Sequence, residues 1–300
     1  MLKLQVSEFF RAASQFVVVE PRSPQVRFPL HEHDFYEIVI VSSGNGWHVL
    51  NDEPHFISCG EVLFLRAEDR HAFEEVDQLH LTNILYRPNG ALLQPDRIRP
   101  YLQPADDGAI ERRYWQLSDG ALLGLEPLVT ALARESLKPD AASAVMAECL
   151  FAQLVVTLWR DRFATDADHL APSARLDHVL RYLRHNFTQP IDLDEVAERF
   201  GYSPRNLRRV FSVATATTPH SYLVKLRLAR AMRALRTTDD SVTEIALASG
   251  FNDSNYFAYS FKKLLGTTPF RYRQDARSSA PRAAEHSAAP PRRVNQSLTQ

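Results

Sequence analysis

Cysteine is scarce in this 300-residue chain. Cys59 and Cys149 stand far apart with no metal-type spacing, so neither a disulfide framework nor a cysteine-based zinc finger can be built from them, and both are expected to pack as small apolar side chains. No apolar run approaches the roughly 18 residues that span a bilayer. The opening residues, Met1-Leu-Lys-Leu-Gln-Val-Ser-Glu8, lack the basic region and apolar stretch of a secretion leader. The expectation is a cytoplasmic protein with no membrane partner. Net charge is missing too: 35 Lys and Arg face 36 Asp and Glu, a total of -1. Taken whole, that balance argues against a nucleic-acid partner, but its distribution reverses the reading. Residues 1–170 carry a net charge of -10, residues 171–275 carry +6 and residues 276–300 carry +3. An acidic module is joined to a basic one, and each half is expected to have its own partner.

The composition, 45% hydrophobic and 24% charged, is that of a globular chain, and the length suits two domains. Up to about residue 90 the pattern is one of short apolar or alternating runs (16–19, 35–41, 46–51, 62–65 and 79–86). Pro24, Pro29, Ser42-Ser-Gly-Asn-Gly46, Pro54 and Gly60 separate them, the punctuation of hairpins. From about 118 to 163 the period becomes helical, with Leu122, Leu125, Leu128, Val129 and Leu132 on one stripe and Val145, Leu150, Leu154, Val155 and Leu158 on another, parted by Pro139. The expected division is a β domain over 1–115, a helical pair over 116–163, a linker over 164–174, an all-α domain over 175–275 and a disordered tail over 276–300.

The basic half contains an internal repeat. Ala197 and Gly201 recur 49 residues later as Ala246 and Gly250. Phe211, Thr217-Thr218-Pro219 and Tyr222 recur 50 residues later as Phe261, Thr267-Thr268-Pro269 and Tyr272. In each copy a short amphipathic helix stops at a glycine followed by an aromatic residue, and a second helix begins at Ser203-Pro204 or Asp253-Ser254. This is helix-turn-helix patterning, and its duplication weighs against two ordinary helical hairpins. Arg205, Asn206, Arg208 and Arg209 on one second helix, and Asp253, Ser254, Asn255 and Tyr256 at the start of the other, supply base-reading chemistry. Arginine forks onto guanine, asparagine onto adenine, and aspartate accepts from cytosine. Lys262, Lys263, Arg271 and Arg273 suit the phosphate backbone. Residues 185–274 resemble the DNA-binding domain of the AraC/XylS family of bacterial transcription regulators, on Ile245-Ala246, Gly250-Phe251, Ser254-Asn255-Tyr256-Phe257, Phe261-Lys262-Lys263, Gly266-Thr267-Thr268-Pro269 and Tyr272-Arg273. The resemblance implies two helix-turn-helix units joined by a long helix over about 221–236. It departs at Ala216, where the family's first repeat usually carries glycine.

In the acidic half, His31, His33, Glu37 and Gly44 have the spacing H-x-H-x3-E-x6-G, and Gly60 with His71 matches part of a second motif whose usual proline and glycine are here Arg66 and Glu68. Residues 15–90 thus resemble a cupin, which implies a jelly-roll barrel. Three readings of the cluster compete. One is a metal held by His31, His33, Glu37 and His71, which would make a metal-dependent enzyme domain fused to a DNA binder. Another is a set of polar groups that merely satisfy one another in the barrel. The third, preferred here, is an effector pocket built from His33, Glu37, His48, Arg66 and His71 beside aromatic faces such as Trp47 and Tyr86, with no cofactor. The runs 33–52 and 81–86, with Cys59-Gly60 and Asp69-Arg-His71, resemble the paired L-rhamnose-responsive activators within the AraC/XylS family. That resemblance implies a transcription activator rather than an enzyme, with promoter DNA, RNA polymerase and a small sugar, L-rhamnose first, as partners, and a homodimer; a relative responding to another ligand is the alternative.

Overall fold

The computed structural model describes residues 2–12, 15–87, 95–102, 113–163 and 175–279. The expected linker over 164–174 and the chain beyond 279 lie outside the described residues. Eight strands form one sheet: β1 (Leu2–Leu4), β2 (Val17–Arg22), β3 (Phe28–His33), β4 (Tyr36–Leu50), β5 (Glu53–Ser58), β6 (Glu61–Leu65), β7 (His71–Tyr86) and β8 (Tyr114–Gln116). A short helix α1 (Val6–Phe9) follows β1, and α2 (Pro95–Leu102) follows β7. Pairing is antiparallel throughout except between β1 and β3.

Strands β4 and β7 are the spine, paired from Tyr36 opposite Tyr86 to Leu50 opposite His71. The segment from Ser42 to Gly46, expected as a turn, instead continues β4 with register shifts at Ser43 and Asn45. Gly44 makes this possible. It sits at φ +77°, and a Cβ there would lie 1.8 Å from the Gln78 carbonyl oxygen, so only glycine lets the two backbones approach. The bulge also changes which side chains face inward. Val39 and Val41 join the interior cluster ahead of it and Leu50 after it, while Ile38 and Ile40 point to the opposite face. Without the shift, alternation would carry Trp47 inward in place of His48.

The outer face formed by Ile38, Ile40, Val62, Phe64 and Ile84 is covered by α3 (Asp119–Ser136) and α4 (Ala141–Phe163), through Leu125, Leu132, Phe151, Leu154 and Val155. Ser118 caps α3, its Oγ accepting from the Ala121 N–H, and Pro139 lies in the break between the helices. Helix α4 corrects two expectations. By length and composition it is long and apolar enough to cross a bilayer, with an 18-residue window of mean hydropathy 1.8, yet in this structure its apolar stripe lies along the sheet. Val145 and Cys149 fall off that stripe and are exposed. Cys59 is half-buried and donates to the Ser42 carbonyl.

Residues 175–279 form seven helices: α5 (Arg175–Asn186), α6 (Leu193–Arg199), α7 (Pro204–Thr215), α8 (Pro219–Thr237), α9 (Val242–Ala248), α10 (Ser254–Leu265) and α11 (Pro269–Ser279). The last runs through 276–279, the start of the expected disordered tail. The repeat is now visible as two helix-turn-helix units, α6–α7 and α9–α10, bridged by α8. Their equivalent residues pack alike. Tyr222 meets Phe211 edge-on at 5.2 Å and Tyr272 meets Phe261 edge-on at 5.4 Å. Gly201 and Gly250 take positive φ between the helices of each unit. The exits from α7 and α10 are both left-handed, at φ 53° for Ala216 and 70° for Gly266. Alanine thus performs a glycine's task in the first unit, against the Cβ–carbonyl crowding that disfavours this region.

Two substitutions test these backbone assignments by urea unfolding. Ala216→Gly should raise stability by about 1 kcal/mol, because it relieves a left-handed alanine. Gly250→Ala should lower it by roughly 2 kcal/mol or more, because its Cβ would meet the Phe187 carbonyl at 2.7 Å in a backbone held at φ +92°.

Candidate ligand pocket and DNA-reading surface

One mouth of the barrel opens into a cavity of about 390 Å³. Its polar lining is His31, Glu37, His71 and Asn83 with Arg22, Ser23 and Gln25, and its apolar wall includes Phe28, Phe35 and Phe73. The cluster expected from the H-x-H-x3-E spacing does converge, although His31 and His33 stand on β3 and Glu37 on β4. His33 Nε2 lies 3.3 Å from Glu37 Oε2 and His71 Nε2 lies 3.8 Å from the same oxygen. The second nitrogen of each ring is already engaged: His33 Nδ1 with the Phe35 carbonyl at 2.7 Å, His71 Nδ1 with His48 Nε2 at 3.0 Å. His48 Nδ1 in turn meets the Tyr114 hydroxyl at 2.6 Å. His71 Nε2 is buried without a hydrogen-bond partner and His33 Nε2 is turned to Glu37, so one oriented ring nitrogen and one carboxylate are presented to whatever enters.

This geometry sorts the expected residues. Glu37 and His71 line the cavity, His33 stands beside Glu37, and His48 orients His71 from behind. Arg66 lies in the turn before β7, half-exposed, with its backbone N–H on Asp69, and is not part of the cavity wall. Trp47 and Tyr86 are not in the wall either, because strand alternation turns them outward: Trp47 packs on Phe56 and Tyr86 under Phe151 of α4. Asn83 was missed, as nothing in its local sequence marks it. The donor atoms of His33, Glu37 and His71 fall within 4.8 Å of one another and fit one face of a divalent ion, a borderline transition metal by donor type. His31 stays outside that set and places Nδ1 against the Pro29 carbonyl.

On the DNA-binding half, Arg205, Asn206, Arg208 and Arg209 are exposed along α7, and Asn255, Tyr256, Lys262 and Lys263 along α10. Arg208 pairs with Asp194 at 3.1 Å, and Arg209 donates to Asn206 at 3.3 Å. Asp253 caps α10, accepting from the N–H groups of Asn255 and Tyr256, and Ser254 follows it half-buried. The two halves touch through the first unit. Asn45 in the β4 bulge donates to the Thr215 carbonyl at 2.6 Å and accepts from Lys225 Nζ at 2.6 Å. Phe56 meets Tyr222 edge-on at 5.3 Å, and Arg184 pairs with the buried Glu61. No local pattern marks this contact, since Asn45 and Phe56 read locally as turn and strand residues.

Burial dominates the titration of the barrel. It pushes His48 down to about 3, with His31 nearby adding to the effect, and lowers His31 and His71 as well. His33 is raised instead, because the hydrogen bond and charge of Glu37 outweigh its burial. Rings with lowered folded values take protons only when the chain unfolds, so their stabilisation is complete above about pH 6.5 and declines as pH falls toward 3; His33 works in the opposite sense. Unfolding free energy should therefore be lower at pH 5 than at pH 7. His48→Gln, measured by urea unfolding at both values, should shrink that difference by about 2 kcal/mol.

Comparison with known proteins agrees with both halves. Residues 14–167 match an AraC-like ligand binding domain, and residues 196–275 match a helix-turn-helix domain. The HTH-type transcriptional activator RhaS of Escherichia fergusonii is 39% identical over 279 residues, covering 91% of this chain and 98% of that protein. The HTH-type transcriptional activator RhaR of Enterobacter sp. (strain 638) is 39% identical over 93% of this chain and 99% of its own length. Among solved structures, the DNA-binding domain of AdpA in complex with a target DNA is similar at 30% identity and a TM-score of 0.35, over 36% of this chain and 97% of that one. With its relatives aligned along nearly their whole length and both domain types matched, the chain belongs to the AraC family: it is a DNA-binding transcriptional activator with a cupin-like ligand-binding domain, not an enzyme.

Proposed function

We propose that the barrel cavity binds a small neutral sugar, L-rhamnose first, and that its occupancy governs how α7 and α10 engage promoter DNA and RNA polymerase in the cytoplasm. The observation that carries this reading is the oriented, unpartnered His71 Nε2 beside Glu37 in the cavity wall. Together with Asn83 they offer donors and acceptors to hydroxyl groups, against the faces of Phe28, Phe35 and Phe73. The resemblance to the rhamnose-responsive activators points to the same ligand class. By linkage, a sugar changes DNA affinity only through its different affinity for the two arrangements of barrel and DNA-binding domain.

Arg205, Asn206, Arg208 and Arg209 on α7 and Asp253, Ser254, Asn255 and Tyr256 on α10 are the proposed base-reading and positioning groups, with Lys262 and Lys263 on phosphate. A second copy of the chain is the proposed partner for the uncovered apolar side chains Leu123, Val145 and Met146 of α3 and α4. A single-copy mass at micromolar concentration with sugar and DNA present would remove that claim.

Promoter-DNA binding measured with and without L-rhamnose tests the central reading, and the sugar should change the affinity while glucose does not. Chelation by EDTA should leave the response intact; a response lost on chelation and restored by zinc or manganese would assign the cluster to metal instead. Arg205→Ala and Asn255→Ala should each weaken binding by about 1–3 kcal/mol and relax preference at one base pair. Equal weakening on every sequence would place them on phosphate.

A further inference from the structure

Helix α10 carries one aromatic side chain with no partner of its own kind. Four tyrosines of the DNA-binding half have a ring to pack on: Tyr182 on Phe200, Tyr222 on Phe211, Tyr256 on Phe251 and Tyr272 on Phe261. Among the described residues no ring packs on Tyr259, and 62% of it is exposed. The Lys263 ammonium stands 5.9 Å from its ring centroid. A lone exposed ring needs no explanation in itself. The position of this one on the helix does.

Helix α10 buries Phe257, Ser260 and Phe261, and the helical period turns positions 255, 259, 262 and 263 together onto the outer face. Asn255, Lys262 and Lys263 are exposed there as well. Tyr259 stands between them, one turn beyond the asparagine proposed to read a base and one turn short of the lysines proposed to hold phosphate. The repeat bears on the same place independently. Fifty residues earlier the equivalent position is Arg209, exposed on α7 one turn beyond Arg205. A guanidinium at that point can fork onto guanine O6 and N7. A phenol cannot, since it brings a flat apolar ring with a single hydroxyl at its far end. On the base edges of the major groove the one apolar group is the C5-methyl of thymine.

We infer that Tyr259 is a specificity-determining residue of α10, reading one thymine of the operator through contact between its ring and the C5-methyl. The inference rests on α10 entering the major groove as proposed above. Closing the ring against a methyl removes apolar surface of both from water, which supplies the attraction. The two units are then alike in fold and unlike in chemistry: at equivalent positions Arg209 offers hydrogen bonds and Tyr259 offers apolar surface. The two half-sites of the operator therefore differ in sequence.

Duplexes enriched by the full chain from a random-sequence pool supply the operator, and each of its thymines is replaced in turn by deoxyuridine, which differs only in lacking the C5-methyl. In the half-site whose base preference Asn255→Ala relaxes, one such replacement should weaken wild-type binding about fourfold, the worth of one buried methyl. Tyr259→Ala should bind the thymine and deoxyuridine duplexes equally. Tyr259→Phe should keep the fourfold difference, because the ring and not the hydroxyl makes the contact. Both variants should unfold at the wild-type temperature, since the side chain lies outside the core. A half-site with no methyl-sensitive thymine would overturn the assignment. So would a difference that survives Tyr259→Ala, or one that vanishes in Tyr259→Phe and so belongs to the hydroxyl. If Asn255→Ala relaxes no preference, or the pool yields no enriched sequence, the placement of α10 on bases fails and the role of Tyr259 falls with it.

Discussion

The register of β4 against β7 is the constraint on which the rest of this molecule depends. One strand, kinked at a glycine that backbone proximity demands, sends Glu37 and His48 into the barrel and delivers Trp47 and Asn45 to the DNA-binding half. The same two strands therefore carry the polar lining of the barrel cavity and, through Asn45, the contact with Thr215 at the end of α7.

The buried polar groups divide into two kinds. Around His48 they satisfy one another in a chain from Tyr114 through His48 to His71, which fixes ring orientation and leaves His71 Nε2 without a hydrogen-bond partner. At the domain junction the accounts are mixed. Burial pushes Glu61 up to about 7 while the neighbouring Arg184 pulls the other way, so this ion pair is costly to enclose and specifies position more than it stabilises. The apolar contact of Phe56 with Tyr222, and the Lys225 ammonium 5.2 Å from the Phe56 ring, supply the attraction that the ion pair does not.

Much of this was legible in the chain. The duplicated spacing of Ala197, Gly201, Phe211 and Tyr222 revealed two equivalent units, because a helix-turn-helix needs small, left-handed and aromatic residues at fixed offsets and tolerates few alternatives. The barrel's His31, His33, Glu37 and His71 were legible for the same reason: chemistry-bearing side chains at strand spacing are rare by chance. What escaped is non-local. A bulge and a turn use the same Ser-Ser-Gly-Asn-Gly vocabulary, so the continuity of β4 could be read only from its partner strand. Trp47 faces outward because of that bulge, and Tyr86 because β7 alternates there, with Asn83 and Leu85 inward and Ile84 and Tyr86 outward. Cys149 and Val145 were misplaced by a fraction of a helical turn.

Tyr222 and Tyr272 occupy equivalent places in the repeat, yet the barrel closes over the first, whose hydroxyl lies 3.4 Å from Ser58, while the second stays half-buried. Identical residues thus carry unequal obligations. In one copy the tyrosine serves its own unit; in the other it also holds the barrel through Ser58 and Phe56. Replacement by phenylalanine costs a cross-domain contact at 222 and none at 272, so the same residue type carries a different load in each repeat.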